Sequence, residues 1–273
     1  MEAASPRIHA HPTEDAFALS DRYPIFVVAD GVTLGQIVVD KKPYPDPSPA
    51  GDVARIFCEA ALAAAEELYD ALDSDSVTEI FRRGNDAVGA YNRAHGRMKE
   101  TLDYWDNDYY AATAALAIFK EDVLHWGTIC DSYAAVIDPR TGSLTFRSPA
   151  CNSLAEAPAP PFSGAPDDKK ALLQYNWRVK RNGIDGDGRR VGYGVVTGEP
   201  AALRYLALGQ AKVAAGDVVA VFTDGYENHM NAPEFRSLLV SSPPDLEARI
   251  RRFTEERLDS DLEKYGLERT LIA

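Results

Sequence analysis

Twice in this chain, a run of apolar residues ends abruptly at an Asp-Gly pair. Residues 25–29 (IFVVA) run directly into Asp30, residues 218–222 (VVAVF) run through one Thr into Asp224, and a Gly follows each Asp. A short apolar run bounded by turn residues is typical of a buried β-strand. A Gly beside the Asp lets another backbone or a ligand approach closely. The pattern therefore predicts carboxylates fixed at the ends of buried strands.

Two helices are predicted after the first of these strands. Ser48 stands where a helix N-cap is expected, and apolar residues then recur with helical spacing at positions 53, 56, 57, 60, 61, 64 and 68. Residues 76–79 (SVTE) have the form of a capping box, and the inner stripe of the helix that follows is Val77, Ile80, Phe81, Val88 and Tyr91. Two helices with a short joint predict an antiparallel pair that covers a sheet.

The predicted sheet follows in the next segment of the chain. Short turn-like joints (KED, CDS and DPRTG) separate four strand-like runs: Ala112–Phe119, Val123–Ile129, Tyr133–Ile137 and Leu144–Arg147. This pattern favours an antiparallel meander. Further along we expect a short helix within Lys169–Arg181, helices near Pro233–Leu239 and Leu246–Arg257, and a last strand at Thr270–Ile272. The order predicts an α+β protein with one domain over residues 1–273 and residues 157–166 as a surface loop.

The charge of the chain limits the classes of partner that it can bind. There are 42 acidic and 29 basic residues, which give a formal net charge of −13. Such a chain repels phosphate backbones and anionic lipid, so we expect neither nucleic acid nor a membrane as partner. The same charge fits an acidic cation-binding cleft, although solubility alone explains it. Three cysteines without a C-x-x-C pair, and no apolar stretch long enough to span a membrane, lead us to expect a cytoplasmic protein.

Four acidic sites share one position relative to the predicted strands. Glu14-Asp15 precedes the run AFAL, Asp131 lies between two strands, and Asp30 and Asp224 follow the two runs described above. Carboxylates gathered in this way bind hard cations such as Mg²⁺ or Mn²⁺. An Asp-Gly after a strand is more often only a turn, so each site alone leaves both interpretations open.

Taken in order, five segments of the chain resemble the motif series of the metal-dependent type 2C Ser/Thr protein phosphatases. The segments are TEDAF, VVADGV, AATAALAIFKEDVLHWGTICDSYAAVID, GDVVAVFTDGYEN and ERTLIA. The residue after the first Asp-Gly pair is Val32, and in this the chain resembles the bacterial and archaeal branch of the family. The resemblance implies a four-layer αββα sandwich, in which two antiparallel sheets are flanked by helical pairs.

The resemblance also implies roles for individual residues. Asp30 would bridge two Mn²⁺ or Mg²⁺ ions and Gly31 would offer its carbonyl. Asp224 would bind one metal, and Glu14 with Asp15 would serve the other, partly through water. Asp131 matches a third, weaker metal position, since Asn228 stands where a second Asp is usual. The implied reaction is hydrolysis of phosphoserine or phosphothreonine in a protein substrate, by a hydroxide that bridges the metals.

The chain departs from the family pattern at two positions that matter for chemistry. Ala10 replaces the Arg that usually holds the substrate phosphate, between His9 and His11. His11 could replace that Arg or protonate the leaving group, or the two histidines could be an ordinary surface pair. Leu267 replaces the last Asp ligand, and Glu268 beside it is either the substitute ligand or a solvated charge.

These departures leave two further functions open. One is a non-catalytic pseudophosphatase that acts as a regulatory or binding module. The other is a phosphatase for a small phosphorylated metabolite. The retained acids Glu14, Asp15, Asp30, Asp131 and Asp224 favour an active phosphatase, which we expect to be monomeric by default.

Overall fold

The computed structural model describes residues 2–4, 11–97, 100, 103–150, 154–165 and 167–273. His9 and Ala10, which the sequence singled out, lie outside this part. The strands are β1 Glu2–Ala4, β2 Asp15–Leu19, β3 Ile25–Gly31, β4 Ala112–Lys120, β5 Val123–Ile129, β6 Tyr133–Ile137, β7 Leu144–Arg147, β8 Gly183–Ile184, β9 Arg190–Val191, β10 Ala207–Lys212, β11 Val218–Phe222 and β12 Arg269–Ile272. The helices are α1 Gly35–Asp40, α2 Pro49–Leu68, α3 Ser74–Ala94, α4 Lys169–Tyr175, α5 Glu227–Asn231, α6 Pro233–Ser241, α7 Leu246–Ser260 and α8 Leu262–Tyr265.

Two antiparallel sheets form the centre of the molecule. Within the described residues, the first sheet has the order β10-β5-β4-β3-β2 and the second has the order β1-β12-β11-β6-β7. Apolar side chains such as Val28, Leu124, Val136 and Val221 fill the space between the sheets. Helices α2 and α3 pack on the outer face of the first sheet, and α5 to α7 cover the second. The predicted αββα sandwich is therefore confirmed.

The α2–α3 pair forms for the reasons that the sequence indicated, with one correction. Ser48 caps α2 by accepting the N–H of Ala50, and the Phe57 and Phe81 rings of the two helices lie 5.4 Å apart. The predicted capping box at residues 76–79 was wrong, because Asp73 is the N-cap of α3 and Ser76 is its partner at the third position. The Asp73 carboxylate is the stronger acceptor for the Ser76 N–H, so the helix begins three residues earlier.

The predicted four-stranded meander was also wrong. Strands β4 and β5 pair in the first sheet, whereas β6 and β7 pair in the second. The chain changes sheets at residues 130–132, where Cys130 has a left-handed backbone with φ of 68°. That change brings Asp131 to one end of the gap between the sheets.

A long connecting segment joins β7 to β10. We define it as residues 154–165 and 167–206; it contains α4, a π-helical turn at Asn176–Lys180 and the short β8–β9 pair. Helix α4 packs on α1, and the Leu173 side chain lies against Gly35. Across the described residues, no helix combines the length and the apolar character that a membrane span requires.

Candidate metal centre

Strand register brings the first two aspartates together. Asp15 on β2 lies opposite Asp30 on β3, and Asp30 lies opposite Thr113 on β4. Opposed residues of an antiparallel pair share a face, so these side chains all face the gap between the sheets. Val28, two residues before Asp30, packs between the sheets from the same face.

Three further acids reach the same end of the sandwich from other strands. Asp131 follows β5, Asp224 follows β11 and Glu268 precedes β12. Because neighbouring strands run in opposite directions, the end of one strand and the start of the next meet at a single edge. The predicted clustering of carboxylates at strand ends is what the structure has.

Four of these acids and Glu14 surround a cavity of about 280 Å³, which we call the metal-site cavity. Its lining includes five carboxylates: Glu14, Asp30, Asp131, Asp224 and Glu268. Asp15 does not line the cavity, although it is close enough to affect the pKa of Asp30. The Asp15 Oδ2 atom accepts a hydrogen bond of 2.8 Å from Thr223, while its buried Oδ1 has no hydrogen-bond partner among the described residues.

Both glycines of the Asp-Gly pairs permit close backbone contacts. A Cβ at Gly31 would lie 2.6 Å from the Ala50 carbonyl group, and a Cβ at Gly225 would lie 1.9 Å from the Glu268 carbonyl oxygen. Neither contact leaves room for a side chain. The glycines therefore let helix α2 and the start of β12 approach the two aspartates.

The carboxylates shift one another's pKa values upward. Burial, followed by repulsion from Asp15 and Asp224, raises the pKa of Asp30 well above its usual range. Burial and the neighbouring Asp131 raise the pKa of Asp224 to about 7. Burial also raises the pKa of Asp131. This repulsion is a cost that a bound cation would remove.

Glu14 is held by hydroxyl groups. Its side chain is fully buried, and its carboxylate accepts hydrogen bonds from Tyr44 at 2.6 Å, from Thr33 at 3.2 Å and from Ser48. Ser48 is also the N-cap of α2. Glu14 thus links the site to the start of that helix.

Glu268 is held by the backbone of β2. Its Oε1 atom accepts the N–H groups of Glu14 at 2.7 Å and Asp15 at 2.9 Å, and its Oε2 atom lies 2.8 Å from the Glu14 nitrogen. Burial raises its pKa. Glu268 is only 8% exposed, so the interpretation as a solvated surface charge is wrong. Leu267, at the position of the expected Asp, lines the cavity.

His11 lies at the cavity edge and Asn228 does not. The His11 ring stacks on Tyr44 with a centroid distance of 5.1 Å, and its Nδ1 atom lies 3.5 Å from a Glu14 carboxylate oxygen. The Asn228 side chain instead donates to the Lys264 carbonyl oxygen.

The connecting segment completes the cavity with residues that the sequence did not single out. Trp177, Arg181, Tyr193 and Val195 all line it. Arg181 is buried and donates two hydrogen bonds, of 2.8 and 2.5 Å, to Asp108. Trp177 and Arg181 lie in the basic run KKALLQYNWRVKR (169–181), and Tyr193 and Val195 lie in the Gly-rich run GYGVVTGEP (192–200), which were the signals available in the sequence.

The donor set fits a hard divalent cation with retained water. In the described part of the chain, no three His, Cys, Asp or Glu side chains are arranged as a ready set of metal ligands. Two of the five cavity carboxylates, Glu14 and Glu268, are turned onto hydroxyl and backbone donors. Mg²⁺ and similar ions keep several waters and need only one or two protein carboxylates, which Asp30 and Asp224 can supply.

Comparison with known proteins places this geometry in a wider context. No family model matches the chain, and no curated protein sequence matches it. Among solved structures, it is similar to the serine/threonine phosphatase PstP of Mycobacterium tuberculosis, with a TM-score of 0.57 and 16% identity over 99% of this chain and 94% of that one. A structure of the PstP catalytic domain with two manganese ions has a TM-score of 0.56 and 16% identity over 99% and 93%. PppA of Pseudomonas aeruginosa, a regulatory component of T6SS, has a TM-score of 0.54 and 15% identity over 99% of this chain and 93% of that one. The chain therefore shares the fold of these proteins.

Proposed function

We propose that this chain is a metal-dependent phosphatase of the type 2C kind that hydrolyses phosphoserine and phosphothreonine esters in proteins. The observation that carries the proposal is the convergence of five carboxylates from separate strands on one cavity. The fold shared with PstP, which has been solved with two manganese ions, supports the same conclusion.

The proposed cations are two Mn²⁺ or Mg²⁺ ions. Asp30, the Gly31 carbonyl and Asp224 would hold these ions, and Glu14 and Asp15 would contribute to holding them partly through water. When bound, such ions lower the pKa of a water molecule and offset the charge on phosphoryl oxygens. Asp131 is the proposed site for a third, weaker ion.

Other residues of the chain would hold this arrangement in place. Glu268 fixes the backbone that carries Glu14 and Asp15, and its charge adds to the attraction for the ions. Thr223 orients the Asp15 carboxylate. His11, which stacks on Tyr44, would give a proton to the leaving oxygen of the substrate. Phosphoryl transfer depends mainly on such positioning and on neutralised charge.

Hydrolysis of p-nitrophenyl phosphate tests this proposal. Purified protein should turn over in the presence of millimolar Mn²⁺ and lose that activity in EDTA. Asp30→Asn should lower kcat/KM at least about 100-fold, because even a residue outside the ligand shell costs 10- to 100-fold. Asp122→Asn is the matched control, since Asp122 is exposed in the β4–β5 turn at the opposite end of the sheet.

Two results would count against the proposal. Turnover that is unaffected by EDTA would remove the metals from the reaction. No turnover with Mn²⁺ by a folded protein would favour the pseudophosphatase.

A further inference from the structure

A run of basic residues lies beside the metal-site cavity. Residues 169–181 contain five of the 29 basic residues (Lys169, Lys170, Arg178, Lys180 and Arg181), and no Asp or Glu occurs from 169 to 184. The whole chain has a formal net charge of −13. Positive charge is therefore concentrated in this part of the connecting segment.

The π-helical turn within this run lines three adjoining cavities. Trp177 and Arg181 line the metal-site cavity, and they also line a second cavity of about 410 Å³ that includes Arg178. Lys180 lines a third cavity of about 450 Å³, which shares Tyr193 with the metal-site cavity. A substrate chain with its phosphate at the metal site would therefore have both Arg178 and Lys180 close to the residues next to its phosphorylated side chain.

Arg178 and Lys180 are available to bind a partner. The Arg178 guanidinium lies over the Tyr104 ring at 5.1 Å, and the Lys180 ammonium lies 5.3 Å from the Tyr175 ring centre. These ring contacts support the side chains and use none of their N–H donors. Neither side chain forms an ion pair with any residue that the structure describes.

The carboxylates near these two side chains are held by other groups of the protein. Glu199, which lines the same cavity as Arg178, accepts hydrogen bonds from Asn182 and Thr197. Arg181 is committed to the buried Asp108 carboxylate. Asp185, which lines the same cavity as Arg178, forms a 2.9 Å ion pair with Arg189. Among the described residues, Arg178 and Lys180 therefore keep their positive charges outside any ion pair, whereas the chain as a whole is acidic.

We propose that the connecting segment recognises acidic residues that flank the phosphorylated residue of the substrate protein, with Arg178 and Lys180 as the binding side chains. This inference rests on the proposed function and specifies its substrate class as phosphoproteins with acidic sequence around the phosphosite. The net negative surface elsewhere repels such a peptide, so the attraction is confined to the connecting segment.

The test compares two phosphothreonine peptides of equal length, one flanked by Asp and Glu and the other by Asn and Gln. At low salt and saturating Mn²⁺, the wild-type kcat/KM should be about 3- to 10-fold higher for the acidic peptide, since exposed ion pairs contribute modestly. The ratio should fall towards one in Arg178→Gln/Lys180→Gln and at high salt. It should persist in Lys212→Gln/Arg252→Gln, which removes two exposed charges from β10 and α7.

Equal kcat/KM values for the two peptides in the wild type would overturn the inference, as would a preference that survives in Arg178→Gln/Lys180→Gln. Hydrolysis of p-nitrophenyl phosphate without a peptide preference would reject the inference and leave the phosphatase intact. If no substrate is hydrolysed, anisotropy of labelled peptides with a phosphonate in place of the ester still decides the docking. An acidic-to-neutral Kd ratio near one would then overturn it, and a preference lost in the double variant would support it.

Discussion

Replacing Asp108 with leucine should destabilise the protein by about 3–5 kcal/mol, because the Arg181 guanidinium would stay buried without its carboxylate. The side chains of this pair are 4% and 8% exposed, so water cannot replace the lost partner. The pair joins the connecting segment to residues 103–110. Its loss should therefore loosen the wall of the metal-site cavity as well as the fold.

The magnitude follows from the depth of the pair. Two charge-assisted hydrogen bonds are lost together, and the Tyr109 ring, 5.8 Å from the Arg181 guanidinium carbon, cannot accept them. In a chain of this size each kcal/mol moves Tm by roughly 2–3 °C, so Tm should fall by about 6–15 °C. Calorimetry and urea unfolding monitored by circular dichroism would measure both quantities.

Asp86→Leu is the matched control. Asp86 also pairs with an arginine, Arg82, but these side chains are 58% and 47% exposed. An exposed pair contributes at most about 1 kcal/mol, and its loss should change Tm by no more than a few degrees.

A double variant separates the unpaired charge from other effects of the substitution. Asp108→Leu/Arg181→Met removes both charges and should recover most of the lost stability. An Asp108→Leu variant within about 1 kcal/mol of the wild type would exclude the expected cost of the unpaired charge. A double variant that is no more stable than the single one would exclude it as well.

Three further predictions concern the metal centre. Glu268→Gln should weaken Mn²⁺ binding about 10- to 100-fold in calorimetry, whereas Glu263→Gln, at an exposed position, should not. Equal Mn²⁺ affinities of the two variants would exclude a contribution from Glu268. Thr223→Val should lower the free energy of unfolding by about 2–4 kcal/mol, because the hydroxyl donates to Asp15 and accepts a backbone N–H of β12. Urea titration measures this free energy, and a loss under about 1 kcal/mol would contradict the prediction. In EDTA, Tm should fall as pH rises from about 4 to 8. Folding raises the pKa of Asp224 to about 7, so in this pH range the folded state holds a proton that the unfolded chain has released. Mn²⁺ should remove that slope, and a flat profile in EDTA would refute the assignment.

Much of the fold could be predicted because its elements have clear local patterns. Strands β5, β6, β7 and β11 have the bounds expected from their apolar runs, and α2 begins at the predicted cap. Strand β10 was missed because its residues ALGQAK alternate weakly at a sheet edge. The placement of β6 in the second sheet was also missed, since all its residues are buried and periodicity gives no indication of which sheet it joins.

The acidic residues of the candidate metal centre were predictable where they lie next to a turn. Asp30 and Asp224 follow strands and precede Gly, so their place at a sheet end could be inferred from local sequence. Arg181 and Trp177 reach the cavity only because the connecting segment folds back over α1. That contact depends on long-range packing, which no local pattern records. Glu268 was assigned from family resemblance, and its contact with the β2 backbone was not foreseen.

The pairing of Glu268 with Glu14 has a consequence for how the protein is made. These residues are separated by 254 positions in the chain, and β12 inserts between β1 and β11. Closing so long a loop carries an entropic cost that only late, cooperative contacts recover. While the ribosome is still translating the first two hundred residues, Asp15 and Asp30 have neither Asp224 nor Glu268 beside them. Capture of the proposed cations should therefore follow synthesis. The metal supply should affect how many finished molecules hold cations, and it should not affect the emerging chain.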